Sequence, residues 1–200
     1  MKKLLLITVI SLFIMSSCSQ KYEFSENEKS IINEADEYTP FRVLLTTNLQ
    51  DSILLRSKSH DFYDWDSPDF EMFIKRLKKT LIVEKGVGIA APQVGIPRNI
   101  FLLEKSDTEK NEIIVVINPK IINHPEETIC FQGDGCLSVP EITGNSVRYP
   151  WVDVEYNNEK GELVRERLDG YSRESGFNAV IFQHEFDHLQ GILFTDKLCD

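Results

Sequence analysis

The chain has 200 residues, with 22 Lys and Arg against 32 Asp and Glu and a net charge of −10. At 42% hydrophobic and 10% aromatic residues it is long and apolar enough for one globular domain with a substantial core. The acidic balance argues against nucleic-acid binding and against direct docking on an anionic membrane, because both need clustered Lys and Arg.

Residues 1–17 open with Lys2 and Lys3, run through an apolar stretch from Leu4 to Met15, and lead by Ser16 and Ser17 to Cys18. That order is a bacterial signal peptide of lipoprotein type, with Cys18 as the lipidation site, and is too short for an ordinary spanning helix. A simple uncleaved anchor is the alternative. Residues 18–40 are rich in acids (Glu23, Glu26, Glu28, Glu34, Asp36, Glu37) around isolated Ile31 and Ile32, and read as an acidic tether with room for a short helix. The folded domain is then expected over 41–200.

Asp66-Ser67-Pro68 marks a helix start, with Pro in the first turn. Phe70, Phe73, Ile74, Leu77 and Leu81 form its apolar stripe, and Gly86 is expected to stop it. The next segment, 86–93, is extended and punctuated by Gly86 and Gly88, with small Ala90 and Ala91 suited to close packing. Asn99 to Glu104 and Glu112 to Asn118 are rich in Ile, Val, Leu and Phe and predict buried strands. Trp151 to Tyr156 and Glu162 to Leu168, joined by a polar turn ending in Gly161, predict a hairpin.

Near the C-terminus lies Gln183-His184-Glu185-Phe186-Asp187-His188. Histidines four apart on a helix share a face and can hold one metal ion, with Glu185 beside them. Phe177, Val180 and Ile181 fall on the histidines' stripe, and Phe182, Phe186 and Leu189 form a second one, so the helix is buried. Gly176 and Gly191 bracket it. A hydrolytic metal site takes three protein ligands and keeps one position open. Position 194 is Phe, and few acids follow His188, so the third ligand is sought upstream. Cys136, within Gly133-Asp134-Gly135-Cys136-Leu137-Ser138, is the best candidate, because thiolate binds strongly and the glycines permit close backbone approach. Strands joined by hairpins around one central helix give an α+β class, with antiparallel β-sheets packed around the metal-binding helix. His60 and His124 sit in polar stretches and read as surface residues, while Cys130 and Cys199 can equally pair or remain free.

Three blocks, Gly86-Val87-Gly88-Ile89-Ala90-Ala91-Pro92-Gln93, Gly135-Cys136-Leu137-Ser138 and Gln183-His184-Glu185-Phe186-Asp187-His188, resemble in order the three motifs of the peptide deformylases. The likeness covers roughly residues 40 to 198. One departure is Asp134, where that family usually has Glu. The resemblance implies one metal per chain, Fe²⁺ as the working ion, whereas ligand chemistry alone suits Zn²⁺. It implies removal of the N-formyl group from formyl-methionyl peptides, with formate released. Glu185 is expected as general base, and Gln93 and the Leu137 backbone N–H as donors to the developing oxyanion. Val87, Gly88, Asp134, Phe177, Val180 and Ile181 are expected around the substrate. A metallo-amidase or peptidase of different substrate, and a non-catalytic formyl-peptide binder, remain as rivals. The sequence also sets location against chemistry: residues 1–18 direct an exported lipoprotein facing the periplasm or exterior, while formyl-methionine is made in the cytoplasm. The oligomeric state is not legible.

Overall fold

The computed structural model describes residues 22–105, 112–174 and 176–199. The leader and Cys18 lie outside the described residues. Helices α1 (Glu26–Ile32), α2 (Leu49–Leu55) and α3 (Pro68–Glu84) precede the strands, and α4 (Asn178–Leu189) follows them. The strands are β1 (Gly88–Ala90), β2 (Ile100–Lys105), β3 (Glu112–Asn123), β4 (Ile129–Cys136), β5 (Val139–Arg148), β6 (Trp151–Asn157), β7 (Leu163–Ser172) and β8 (Gly176–Phe177). A six-stranded antiparallel sheet has the order β1-β2-β3-β6-β7-β8, and β4 and β5 form a separate antiparallel pair. The expected α+β class is therefore the observed one.

The period-two geometry of the strands sorts side chains into two cores. Ile100 and Leu102 of β2 face a cluster with Phe70, Phe73 and Leu77 of α3. Phe101 and Leu103, one residue out of phase, face a second cluster with Ile181, Phe182 and Leu189 of α4. Phe101 and Phe182 meet edge to face, with centroids 5.0 Å apart, an arrangement that aligns ring edge with ring face. Because α4 is covered on nearly all sides, only Phe186 among its residues escapes full burial. Gly191, at φ +72°, ends it in the left-handed conformation, and a Cβ there would meet Arg56 O at 2.3 Å. At the end of α3 the left-handed position falls to Lys85, φ 55°, rather than to Gly86.

The tether reading of residues 18–40 is corrected from residue 22 onward. Phe24 and Ile32 belong to the first core, and Ser25 caps α1 in a box with Glu28. The acids there are not all solvated: buried Glu28 takes a two-pronged bond from Arg98, Nε at 2.8 Å and Nη2 at 2.7 Å. Arg76, also buried, donates to the carbonyls of Ile31 at 2.9 Å, Ile32 at 2.8 Å and Thr39 at 3.0 Å, satisfying the C-terminal end of α1. Composition suggested a solvated segment; two buried arginines on the domain supply the partners that fold it back. Two further elements, α2 and the β4–β5 pair, carry too little apolar periodicity to be read from sequence.

Burial alone would raise the Glu28 carboxyl, but the Arg98 bond and the capping contacts outweigh it and lower its pKa. A depressed folded-state pKa means the contribution is full above the ordinary glutamate value and is lost as pH falls through the depressed one. Replacing Glu28 by Gln, which leaves Arg98 buried without its counter-charge, should cost roughly 3–5 kcal/mol at pH 7 by denaturant unfolding. The gap from wild type should narrow as the pH is lowered below ~4. A variant as stable as wild type at pH 7 would show that 22–40 does not contribute to the fold in this way.

Candidate metal centre

The sulfur of Cys136 and the histidine nitrogens of His184 and His188 lie within 4.8 Å of one another, although the cysteine is about fifty residues from the helix. Cys136 ends β4, and its Sγ is 3.2 Å from His188 Nε2. The one-turn spacing on α4 gives both rings to the same side, 5.1 Å between centroids. A thiolate and two imidazoles with room between them fit a divalent transition metal by donor chemistry.

What holds these donors is a line of buried charge. Asp134 Oδ1 lies 3.0 Å from His184 Nδ1, which fixes that nitrogen as the proton carrier and leaves Nε2 for a metal. Asp134 Oδ2 accepts from Arg148 Nη2 at 2.9 Å and Ser146 Oγ at 2.6 Å. Arg148 also donates to Asp187 at 2.6 Å, and Asp187 in turn is 2.6 Å from Lys197 Nζ. Burial would raise the Asp134 carboxyl, yet the bond to His184 and the charges of His184 and Arg148 hold it well below the usual range. Burial likewise opposes charge on His184, but Asp134 and Cys136 overcome it and push its pKa well up. Burial, helped by the charge on His184, drives His188 well down. Both rings must be neutral to bind a cation, so a metal here replaces a proton on His184.

Glu185 has a different environment. Burial raises its pKa to about 7, and its Oε2 has no hydrogen-bond partner. It lines a cavity of about 550 Å³, along with Gln93, Leu137, Phe177, Val180 and Ile181. Gly88 lies against Glu185: a Cβ on it would meet Glu185 Oε1 at 2.5 Å, so the glycine is what leaves space for the carboxylate. Gln93 is held in a 3₁₀ turn, Ala91–Val94, where its Oε1 accepts from Ala90 N at 2.8 Å. That bond turns the amide nitrogen toward Ser138 Oγ at 3.2 Å and Cys136 Sγ at 3.5 Å.

The structure thus brings the expected site residues to one cavity, apart from His188, which meets Cys136, and Cys18, which lies outside the described residues; two of them have surroundings other than those expected. Asp134 was expected to contact substrate; both its oxygens are engaged by His184, Arg148 and Ser146, so it positions the imidazole. Val87 was expected as a wall of the methionine pocket; it lines the cavity but is 42% exposed, against 2% for Val180 and 4% for Ile181. Arg148, Ser146 and Lys197 were missed. Asp187 was visible inside the helical motif, but nothing in the sequence linked it to Arg148. Cys130 and Cys199 are joined in a disulfide, with Cα atoms 6.0 Å apart, tying the chain end to β4. His60 and His124 are exposed as expected.

A family model described as polypeptide deformylase matches residues 45–200. The peptide deformylase of Christiangramia forsetii is 38% identical, over 72% of this chain and 76% of that protein. That of Thermotoga petrophila is 39% identical, over 72% and 81%. Among solved structures, the peptide deformylase from Thermotoga maritima superposes with TM-score 0.70 at 34% identity, covering 80% of this chain and 99% of that one. The enzyme from Synechococcus elongatus in complex with actinonin gives 0.69 at 27%, covering 90% and 84%.

The Asp134 carboxylate gives its test here. Asp134→Asn keeps an oxygen for His184 but loses the charge, and should weaken metal retention about 10- to 100-fold in chelator competition. Unchanged retention would remove Asp134 from the set that orients the donors.

Proposed function

This chain belongs to the polypeptide deformylase family, and on that premise we propose that it works as an exported, lipid-anchored member acting outside the cytoplasm. Its reaction is the hydrolysis of the N-formyl group from formyl-methionyl peptides, releasing formate and a free amine. The convergence of Cys136, His184 and His188 beside the unpartnered Glu185 carboxylate carries this reading. The alternative of a non-catalytic formyl-peptide binder is disfavoured by the same observation, since a binder has no use for a poised buried base.

Fe²⁺ is proposed as the working ion, one per chain, on the strength of the family resemblance, with Zn²⁺ suited to the same donors. Cys136, His184 and His188 would hold the ion, which would supply Lewis-acid chemistry for a carbonyl and for water near neutral pH. Glu185 takes a proton from the attacking water and later hands it to the leaving amine. A pKa near 7 suits both steps, because such a group is neither fully protonated nor too weak a base at the working pH. Gln93 and the Leu137 N–H are proposed as donors to the carbonyl oxygen as charge develops on it. Phe177, Val180 and Ile181 supply an apolar wall for the methionine side chain. A formyl carbon carries only hydrogen, so a close-fitting site admits it and excludes acetyl.

Export is supported by residues 1–18 and by the Cys130–Cys199 bridge, since disulfides persist in oxidising compartments and are rare in reducing ones. Among the described residues no helix is long and apolar enough to cross a membrane. The proposed attachment is through lipid on Cys18.

The metal-loaded protein should release formate from formyl-Met-Ala and leave acetyl-Met-Ala intact. Glu185→Gln should retain metal and lose at least ~100-fold in kcat. A variant keeping more than about a tenth of the rate would displace Glu185 from the role of base. For location, the protein should fractionate with membranes, and Cys18→Ala should release it from the membrane or leave it unprocessed. An intact mass matching an unmodified chain from Met1 in a soluble pool would contradict export.

A further inference from the structure

The cavity that contains Glu185 opens at a rim with charge of its own. Among the described residues, Lys58, Lys79, Lys85, Lys160 and Arg173 are the Lys and Arg side chains with no carboxylate at ion-pair distance. Two of them, Lys85 and Arg173, line this cavity. With acids in excess by ten across the chain, an unpaired cation does not follow from any shortage of carboxylates. The two come from distant segments, Lys85 capping α3 and Arg173 lying in the turn from β7 to β8.

Arg173 is also pinned. Its Nη2 donates to Gly133 O at 2.8 Å, and its guanidinium lies 5.6 Å and 5.2 Å from the ring centroids of Phe131 and Phe177. A guanidinium held in this way loses less freedom when it takes an anion. Glu141, at φ 64°, is the one exposed carboxylate on the same lining, and it pairs with neither cation. Among the exposed charged side chains of the lining, cations therefore outnumber carboxylates two to one.

We infer that Lys85 and Arg173 receive the free C-terminal carboxylate of a short formylated peptide, so that released peptides of about three residues are the favoured substrates. An extended peptide advances ~3.3–3.6 Å per residue. With methionine against Phe177, Val180 and Ile181, an extended peptide would carry its third residue ~10 Å from the reacting group. A protein still on the ribosome has no free carboxylate at that place, and the selectivity accords with an enzyme acting outside the cytoplasm. The inference rests on the deformylase reading and narrows its substrate class.

The test compares kcat/KM of the metal-loaded protein for formyl-Met-Ala-Ser as free acid and as C-terminal amide. At low salt the acid should be favoured about 5-fold, as expected for two exposed ion pairs. The preference should fade at about 0.5 M salt, where screening is strong. Lys85→Gln combined with Arg173→Gln should bring the ratio to about 1, whereas Lys160→Gln, on the β6–β7 hairpin, should leave it unchanged. Equal turnover of acid and amide by wild type, or a ratio that survives the double substitution, overturns the carboxylate assignment. Release of formate from neither peptide overturns the deformylase reading beneath it.

Discussion

Arg148 carries a full charge on a side chain with no exposed surface, and a charge so placed is tolerable only where others answer it. Asp134 on β4 and Asp187 on α4 do so, and Lys197 near the chain end neutralises the surplus on Asp187. The strand pair and the central helix are therefore joined through one guanidinium. That junction sets the distance between Cys136, which ends β4, and the histidines of α4. Phe194 stacks on His184, and the Cys130–Cys199 bridge fastens this terminal segment to β4.

The same arrangement separates two carboxylates of one site into two functions. Asp134 is surrounded by Arg148, Ser146 and His184 and stays ionised, which makes it an orienting group. Glu185 lines the same cavity: buried, with its Oε2 unpartnered and its pKa lifted to about 7, it is ready to exchange a proton. Environment rather than residue type divides the roles. Gly88 adds a steric condition, since any side chain there would occupy the volume of the Glu185 carboxylate.

Local pattern made part of this legible. The two-stripe periodicity of 177–189 gave α4 and its burial, and the histidine spacing gave two donors on one face. Ser67-Pro68 gave the start of α3, and the apolar runs gave β2, β3, β6 and β7 with ends displaced by a few residues. Cys136 stood out as the upstream side chain able to complete a three-ligand set. The Arg148 junction was not legible, because an arginine in a polar stretch looks the same whether it faces water or two aspartates. For the same reason Glu28 read as one of the acids of a tether, and the segment from residue 22 with it. Their partners lie far away in sequence, and no period or composition records such pairing. The departure at 134 was visible as a difference, but its meaning came only with the carboxylate in place against His184.

The central claim is that one metal is held by one sulfur and two imidazole nitrogens, brought together by this buried charge network. X-ray absorption at the metal edge of the zinc-loaded protein tests it most directly. The account predicts a shell with one sulfur at ~2.3 Å and two nitrogens at ~2.0–2.1 Å, with the sulfur contribution lost in Cys136→Ser. A shell of nitrogen and oxygen alone in the unsubstituted protein would contradict it.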